Sequence, residues 1–294
     1  MSLARRAPTL AGPMSALEPT VTYLELRAST PDGDAAGGIQ HKAEGLVLLH
    51  VQELAPAGEP RGAVTIVHDA GLHGGRYLEL ARSLAADGWA VALPDLRGHG
   101  RSEGERGHSN GIKEVLRDLG DVQDHLAYRQ PEAPKVLVGH GLGAIWALAY
   151  ACERRGSVSA LVLAAPLVEP RFELPKDAGG LAKLFKKVGP NAPGKLGWKS
   201  DASGDALAHD VITKRAGEEA LEAVRRYRAR AGELGVPVFV LCGAEDALVD
   251  ANAAKVLAGP RGTCESVAGA GHEVLRAPDA IARSVAWIGG AVPR

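Results

Sequence analysis

A strand that runs directly into a glycine turn and then a helix constrains this chain more than any other feature. Lys135-Val136-Leu137-Val138 is a short apolar, β-branched run. Gly139-His140-Gly141-Leu142-Gly143 is a tight turn, and Ala144-Ile145-Trp146-Ala147-Leu148 opens a helix. An apolar run of this length bounded by glycines reads as a buried strand of a parallel sheet. Similar runs flank it at Ala63–His68, Trp89–Pro94, Ala160–Ala164, Pro237–Cys242 and Cys264–Val267. Helical spacing lies between them, at Tyr77–Ala86, Ile112–Tyr128, Leu142–Arg154, Ala251–Ala258 and Asp279–Trp287. Two further strands, around Val21–Leu26 and Gly45–Leu54, precede them. Strands alternating with helices predict an α/β protein, with a mainly parallel sheet of about eight strands and helices on both faces.

The alternation breaks between Leu167 and Leu234, where Pro170, Pro175, Pro190, Pro193 and many glycines precede a charged, helix-like run. This predicts a core over 20–166 and 235–294, a mostly helical insertion over 167–234, and a loose tail over 1–19. The tail has no apolar segment of the secretory kind, because Pro8, Gly12 and Pro13 interrupt it. With 34 basic against 35 acidic residues, a strongly basic nucleic-acid binder is excluded. No apolar run of about 18 residues is present, so no integral membrane span is expected. Cys152, Cys242 and Cys264 are far apart and lack partners at metal-ligand spacing. They read as buried thiols in a reducing, cytoplasmic compartment. No metal and no cofactor are expected, since neither a phosphate-cradling glycine loop nor a ligand cluster occurs.

Two stretches match the G-x-S-x-G string, around Ser102 and Ser109. Neither follows directly on a strand, and a nucleophile elbow needs a strand, a strained turn and a helix. Ser109 fits a helix cap better. The right context is the turn at Gly139–Gly143, where glycine, not serine, is central. Read alone, Asp246 is a turn residue and His272 a loop histidine between glycines.

Taken together, these segments resemble an α/β-hydrolase of the monoacylglycerol lipase and lysophospholipase group, the serine aminopeptidase-like proteins. His68-Asp69-Ala70-Gly71 with Gly75-Arg76-Tyr77 is similar to the family's HGxG…GRY segment. Asp95–Gly104 is similar to its D-x-RGHG-x-S-x-G loop, and Gly139–Gly143 to its GHSMG elbow. Gly243-Ala244-Glu245-Asp246 and Gly269-Ala270-Gly271-His272 resemble the loops that carry the acid and the histidine. The resemblance implies an α/β-hydrolase fold with a cap at 167–234. It also implies Gly141 at the nucleophile position, His272 as base, Asp246 as its orienting acid, and the N–H groups of Ala70 and Leu142 as an oxyanion hole. It further implies a small acyl ester or lipid-like ligand. Leu181, Leu184, Phe185 and Val188, flanked by Lys183, Lys186 and Lys187, form either a lipid-facing cap helix or an ordinary packed one.

Two departures bear on activity. Gly141 has no side chain to attack a carbonyl, and Asp69 stands where the family has glycine beside an oxyanion donor; Leu72 likewise replaces the usual glutamate. Three readings follow: a non-catalytic or impaired hydrolase fold, a hydrolase using His272-activated water in a vacancy above Gly141, or a lipase whose serine has been substituted.

Overall fold

The computed structural model describes residues 18–27, 46–128, 131–176, 188–198, 202 and 204–292. Eight strands form the central sheet: β1 (Thr20–Arg27), β2 (Leu46–Leu54), β3 (Ala63–Val67), β4 (Ala90–Pro94), β5 (Lys135–His140), β6 (Ala160–Ala164) and, after the insertion, β10 (Val238–Gly243) and β11 (Thr263–Val267). Their order is β1-β2-β4-β3-β5-β6-β10-β11. β2 runs antiparallel to both β1 and β4, and the pairings from β4 through β11 are parallel. β3, β6 and β10 are buried at every position, as strands covered on both faces must be. The expected mainly parallel, eight-stranded sheet is therefore what forms.

Helices α1 (Leu78–Ala86), α2 (Ile112–Ala127) and α3 (Leu142–Glu153) follow β3, β4 and β5 in turn. Residues Leu142 to Cys152 of α3 are all buried, which accounts for a helix that is apolar around its whole circumference. Among the described residues, no helix is long and apolar enough to cross a membrane.

Between β6 and β10 the described residues include the helix that the charged run predicts and add a small sheet that the sequence reading did not foresee. The described residues there form a three-stranded antiparallel sheet, β7 (Phe172–Glu173), β8 (Pro193–Leu196) and β9 (Val211–Thr213), followed by one helix, α4 (Lys214–Arg230). The physical reason is local. Pro193 stands at the first residue of the central strand β8, a position that a sheet tolerates, and the β-branched run Val211-Ile212-Thr213 favours extended backbone. Thr213 then caps α4, its hydroxyl accepting from the Ala216 N–H. The proposed lipid-facing positions 181, 184 and 185 and the neighbouring lysines lie outside the described residues, as does most of the 1–19 tail.

This segment packs over the loops that follow β3 and β4. The His209 N–H donates to the Gly71 carbonyl at 2.8 Å, and the Thr213 N–H to the Gly107 carbonyl at 3.0 Å. Those loops leave the carboxyl ends of parallel strands, where sheets of this kind place their ligand sites. Two α-helices lie beyond β10, the one-turn α5 (Ala251–Ala254) before β11 and the 14-residue α6 (Pro278–Ala291) after it.

Candidate active site

The turn between β5 and α3 is built as its glycines predict. Gly141 adopts φ 58° and ψ −118°, a region that suits glycine and strains other residues. A Cβ on Gly139 would stand 2.5 Å from the Ala144 Cα, and one on Gly143 would stand 2.3 Å from the His68 carbonyl. Only glycine permits that approach of strand and helix.

The loops after β10 and β11 bring Asp246 and His272 together, with 2.9 Å between Asp246 Oδ2 and His272 Nδ1. Asp246 is itself fixed by the N–H groups of Leu248 and Val249, which donate to its Oδ1 at 2.7 and 3.1 Å. Residues 26 apart in sequence (272 − 246) thus form one hydrogen-bonded pair.

The expected vacancy above Gly141 is not there. The Asp69 side chain fills it: a Cβ built on Gly141 would lie 2.1 Å from the Asp69 Cγ. Asp69 is not turned away from the oxyanion donors either. Its Oδ1 accepts from the Leu142 N–H at 2.6 Å and from the Ala70 N–H at 2.8 Å. Its Oδ2 lies 3.2 Å from His272 Nε2. The chain therefore places its own carboxylate against the donors that the sequence assigned to a ligand. Without a side chain at Gly141, nothing stops it.

Charge follows from this geometry. Burial alone would lower the His272 pKa, but its hydrogen bonds to Asp246 and Asp69 reverse that and raise it to about 10. The ring is an imidazolium between two carboxylates. Burial pushes Asp69 up; the His272 hydrogen bond and charge outweigh it and hold Asp69 below its ordinary value. Asp246 is held down in the same way.

A second layer fixes this arrangement. The buried His140 ring lies between the Tyr77 hydroxyl, 2.8 Å from Nδ1, and the His272 carbonyl, 2.8 Å from Nε2. Burial lowers its pKa, so the neutral ring donates from Nε2 and accepts the Tyr77 proton at Nδ1. The Tyr77 oxygen in turn accepts from the Asp69 N–H. His68, lowered by burial to about 4, accepts from the Leu96 N–H and donates to the Asp69 carbonyl. At the rim, Arg76 Nη1 meets Asp205 at 2.9 Å and its Nε meets Glu273 at 3.2 Å. One guanidinium thereby ties the insertion to the histidine loop.

A cavity of about 50 Å³ lies beside this floor. Ala70, Leu96, Leu142, Trp146, Leu196 and Ile212 give it a mainly apolar wall, and Arg97, His99, Glu114 and Asp118 add polar and charged groups. Of the serine decoys, Ser102 is buried, accepting from the His50 N–H and donating to the Asp95 carbonyl. Ser109 is not the cap it was expected to be. α2 begins after Gly111, and the Glu114 carboxylate accepts from the Asn110 N–H at 2.8 Å. Sequence reasoning also missed Tyr77, His140 and Asp205. A signal for Asp69 was present, since a carboxylate and a missing side chain depart from the family pattern in one chain.

The fold and the elbow, acid and histidine loops define an α/β-hydrolase. A family model described as serine aminopeptidase, S33, matches residues 58–279, and the chain belongs to that family. The human monoglyceride lipase is 33% identical over 216 residues, covering 69% of this chain and 71% of that protein. A monoacylglycerol lipase of Mycolicibacterium smegmatis is 29% identical over 255 residues, covering 76% and 85%. Among solved structures, a Paleococcus ferrophilus monoacylglycerol lipase superimposes with a TM-score of 0.67 at 24% identity, covering 83% of this chain and 98% of that one.

Proposed function

We propose that this chain is a member of the ester-hydrolase family that has lost serine acyl transfer and holds an uncharged acyl ester or lipid-like ligand without hydrolysing the ester. In this reading Gly141 stands at the position of the nucleophile, where it offers no oxygen to attack a carbonyl. The observation that carries the reading is the seat of Asp69. Its carboxylate takes both backbone donors at Leu142 and Ala70, so a developing ester oxyanion meets a negative charge where it needs hydrogen-bond donors. The small, mainly apolar cavity beside it has room for a short apolar group of such a ligand. The free thiols at Cys152, Cys242 and Cys264 agree with a reducing, cytoplasmic setting.

Hydrolysis by His272-activated water has little support. Asp69 fills the volume that water would need, and a ring with its pKa raised to about 10 is already protonated near neutrality. The test is direct. The native chain is expected neither to react with a fluorophosphonate probe nor to hydrolyse a short-chain monoacylglycerol. Ester turnover by the native chain, or a labelled serine, overturns the reading.

A further inference from the structure

We propose that three stacked imidazoles, His68, His99 and His209, form an acid-operated latch that holds the insertion closed over the cavity and releases it when the stack takes up protons. The stack crosses from the core to the insertion. His68 follows β3, His99 lies in the loop after β4, and His209 belongs to the insertion. The His68 and His99 ring centroids are 5.0 Å apart, and those of His99 and His209 are 4.8 Å apart. Around the stack the two backbones touch. The His209 N–H donates to the Gly71 carbonyl and the Thr213 N–H to the Gly107 carbonyl. A Cβ on Gly71 or Gly107 would overlap the carbonyl oxygen of His209 or Val211. Leu196 and Ile212 of the insertion close the cavity against Ala70, Leu142 and Trp146. At about 50 Å³ it holds a short group only, so a lipid-like ligand enters when this segment lifts. That use of the latch rests on the proposed function; the latch itself does not.

The surroundings keep the closed stack uncharged. Burial lowers His68 to about 4, outweighing the Asp69 carbonyl and the Asp95 carboxylate. His99 donates from Nδ1 to the Arg97 carbonyl at 3.0 Å. Burial, an imidazole on each side and the Arg106 guanidinium hold its pKa well below the ordinary value. For His209, burial and Arg106 outweigh Asp210 and the Gly98 and Val211 carbonyls. The acids that share the cavity with His99 face another cation: Asp118 and Glu114, from α2, lie 2.9 and 3.7 Å from Arg97. Burial raises Asp118 to about 6, so its charge fades over the same range. His108 lies 2.8 Å from the Thr213 hydroxyl, and protonation leaves it a donor there. At the rim Asp205 is held at about 2, so its ties to Arg76 and His73 persist while the stack opens. Protonating His99 places a cation between two neutral rings, and a second proton on His209 sets two like charges face to face. A released imidazole returns towards its ordinary value near 6.5. Below about pH 6.5 the open form therefore binds more protons than the closed one, and acid drives release.

The test is amide exchange by NMR on the full chain, each rate corrected for the intrinsic rate at that pH. From about pH 7 to pH 5, protection of the His209 and Thr213 amides should fall roughly 25-fold for each ring that titrates only once released. The β5 amides Val136 to Val138 should keep theirs. The double change His99→Phe with His209→Phe leaves flat rings in the stack without charge and should remove the pH dependence. Three outcomes overturn the proposal: unchanged protection at His209 and Thr213 in the native chain, equal loss at β5, or the same pH dependence in the double variant. Should the variant be open at neutral pH already, the two native-chain comparisons decide alone. A second arm follows binding of 1-O-octylglycerol, an ether with no ester to hydrolyse, by tryptophan fluorescence, since Trp146 lines the cavity. Its association with the native chain should quicken in acid by the same factor. Equal rates at both pH values overturn the latch as a gate. No binding at either pH overturns the proposed function and, with the exchange pattern as expected, leaves the latch standing.

Discussion

One imidazole has two carboxylates, and the two sides of His272 were built by different means. On the Nδ1 side, Asp246 comes from a loop after β10, and its second oxygen is occupied by the N–H groups of its own turn at Leu248 and Val249. On the Nε2 side, Asp69 comes from the loop after β3, and its second oxygen reaches across to the start of α3. The first carboxylate is a self-contained element that only orients the ring. The second is a plug that joins β3, the elbow and the histidine, and it exists only because Gly141 leaves it room. A local feature tolerates change around it; a plug does not.

The largest effect should therefore come from Gly141→Ser. A Cβ at 2.1 Å from the Asp69 Cγ must expel the carboxylate from two N–H groups and an imidazolium. Disrupting a buried ion pair costs roughly 3–5 kcal/mol. The double change Gly141→Ser with Asp69→Gly should recover most of that loss and gain fluorophosphonate labelling, so the cycle is strongly non-additive. Urea unfolding of all four chains checks it. A serine variant as stable as the native chain would show that Asp69 is no plug.

The next effect is titration of the ring they share. His272 is raised from 6.5 to about 10, so the stability it contributes is fully present below about pH 6.5 and is lost as pH rises towards 10. The slope in that window is at most roughly 1.4 kcal/mol per pH unit. Asp69 and Asp246 are lowered, so their share is present above their ordinary range and is lost in acid. Denaturant midpoints measured between about pH 6.5 and 8.5, below the range in which the buried Cys152 and Cys242 thiols begin to contribute, should fall for the native chain and stay flat for His272→Gln. A native chain that is equally flat would mean the ring is neutral. Smaller again is Tyr77→Phe, which strands the buried Asp69 N–H and His140 Nδ1. A cost of about 1–3 kcal/mol is expected for such unpaired groups, read in the same unfolding assay. No change there would mean that the Asp69 loop is held without Tyr77.

The two sides also differed in how far sequence revealed them. Asp246 and His272 follow strands at the same end of a parallel sheet, so topology alone brings their loops together. The elbow was legible because Gly139 and Gly143 carry its steric requirement in their identity. The seat of Asp69 was not, although both departures stood in plain view. Whether a side chain turns away from a pair of N–H groups or into them depends on the volume left by a residue 72 positions further on (141 − 69). The small sheet of the insertion was hidden for a different reason. Its two- to four-residue strands are too short to show a period, whereas α4 was legible in its charged run.

The smallest effect belongs to the rim, where the histidine loop meets the insertion. Asp205 receives both Arg76 and His73 at 2.9 Å, and burial, which would raise its pKa, is outweighed by the His73 hydrogen bond, leaving it at about 2. Asp205 keeps about a fifth of its side chain in solvent, so water screens the pair and replaces what is lost. Asp205→Asn should lower global stability by less than about 1 kcal/mol. What it should change is local. Arg76 would still hold Glu273, and so the histidine loop, but would no longer hold the insertion through charge. The His209 amide, which donates to Gly71 beneath the insertion, should then exchange faster with solvent while amides of β5 do not. Equal acceleration at both would mean that Asp205 supports the whole domain, and that the rim and the floor of this site are one cooperative unit.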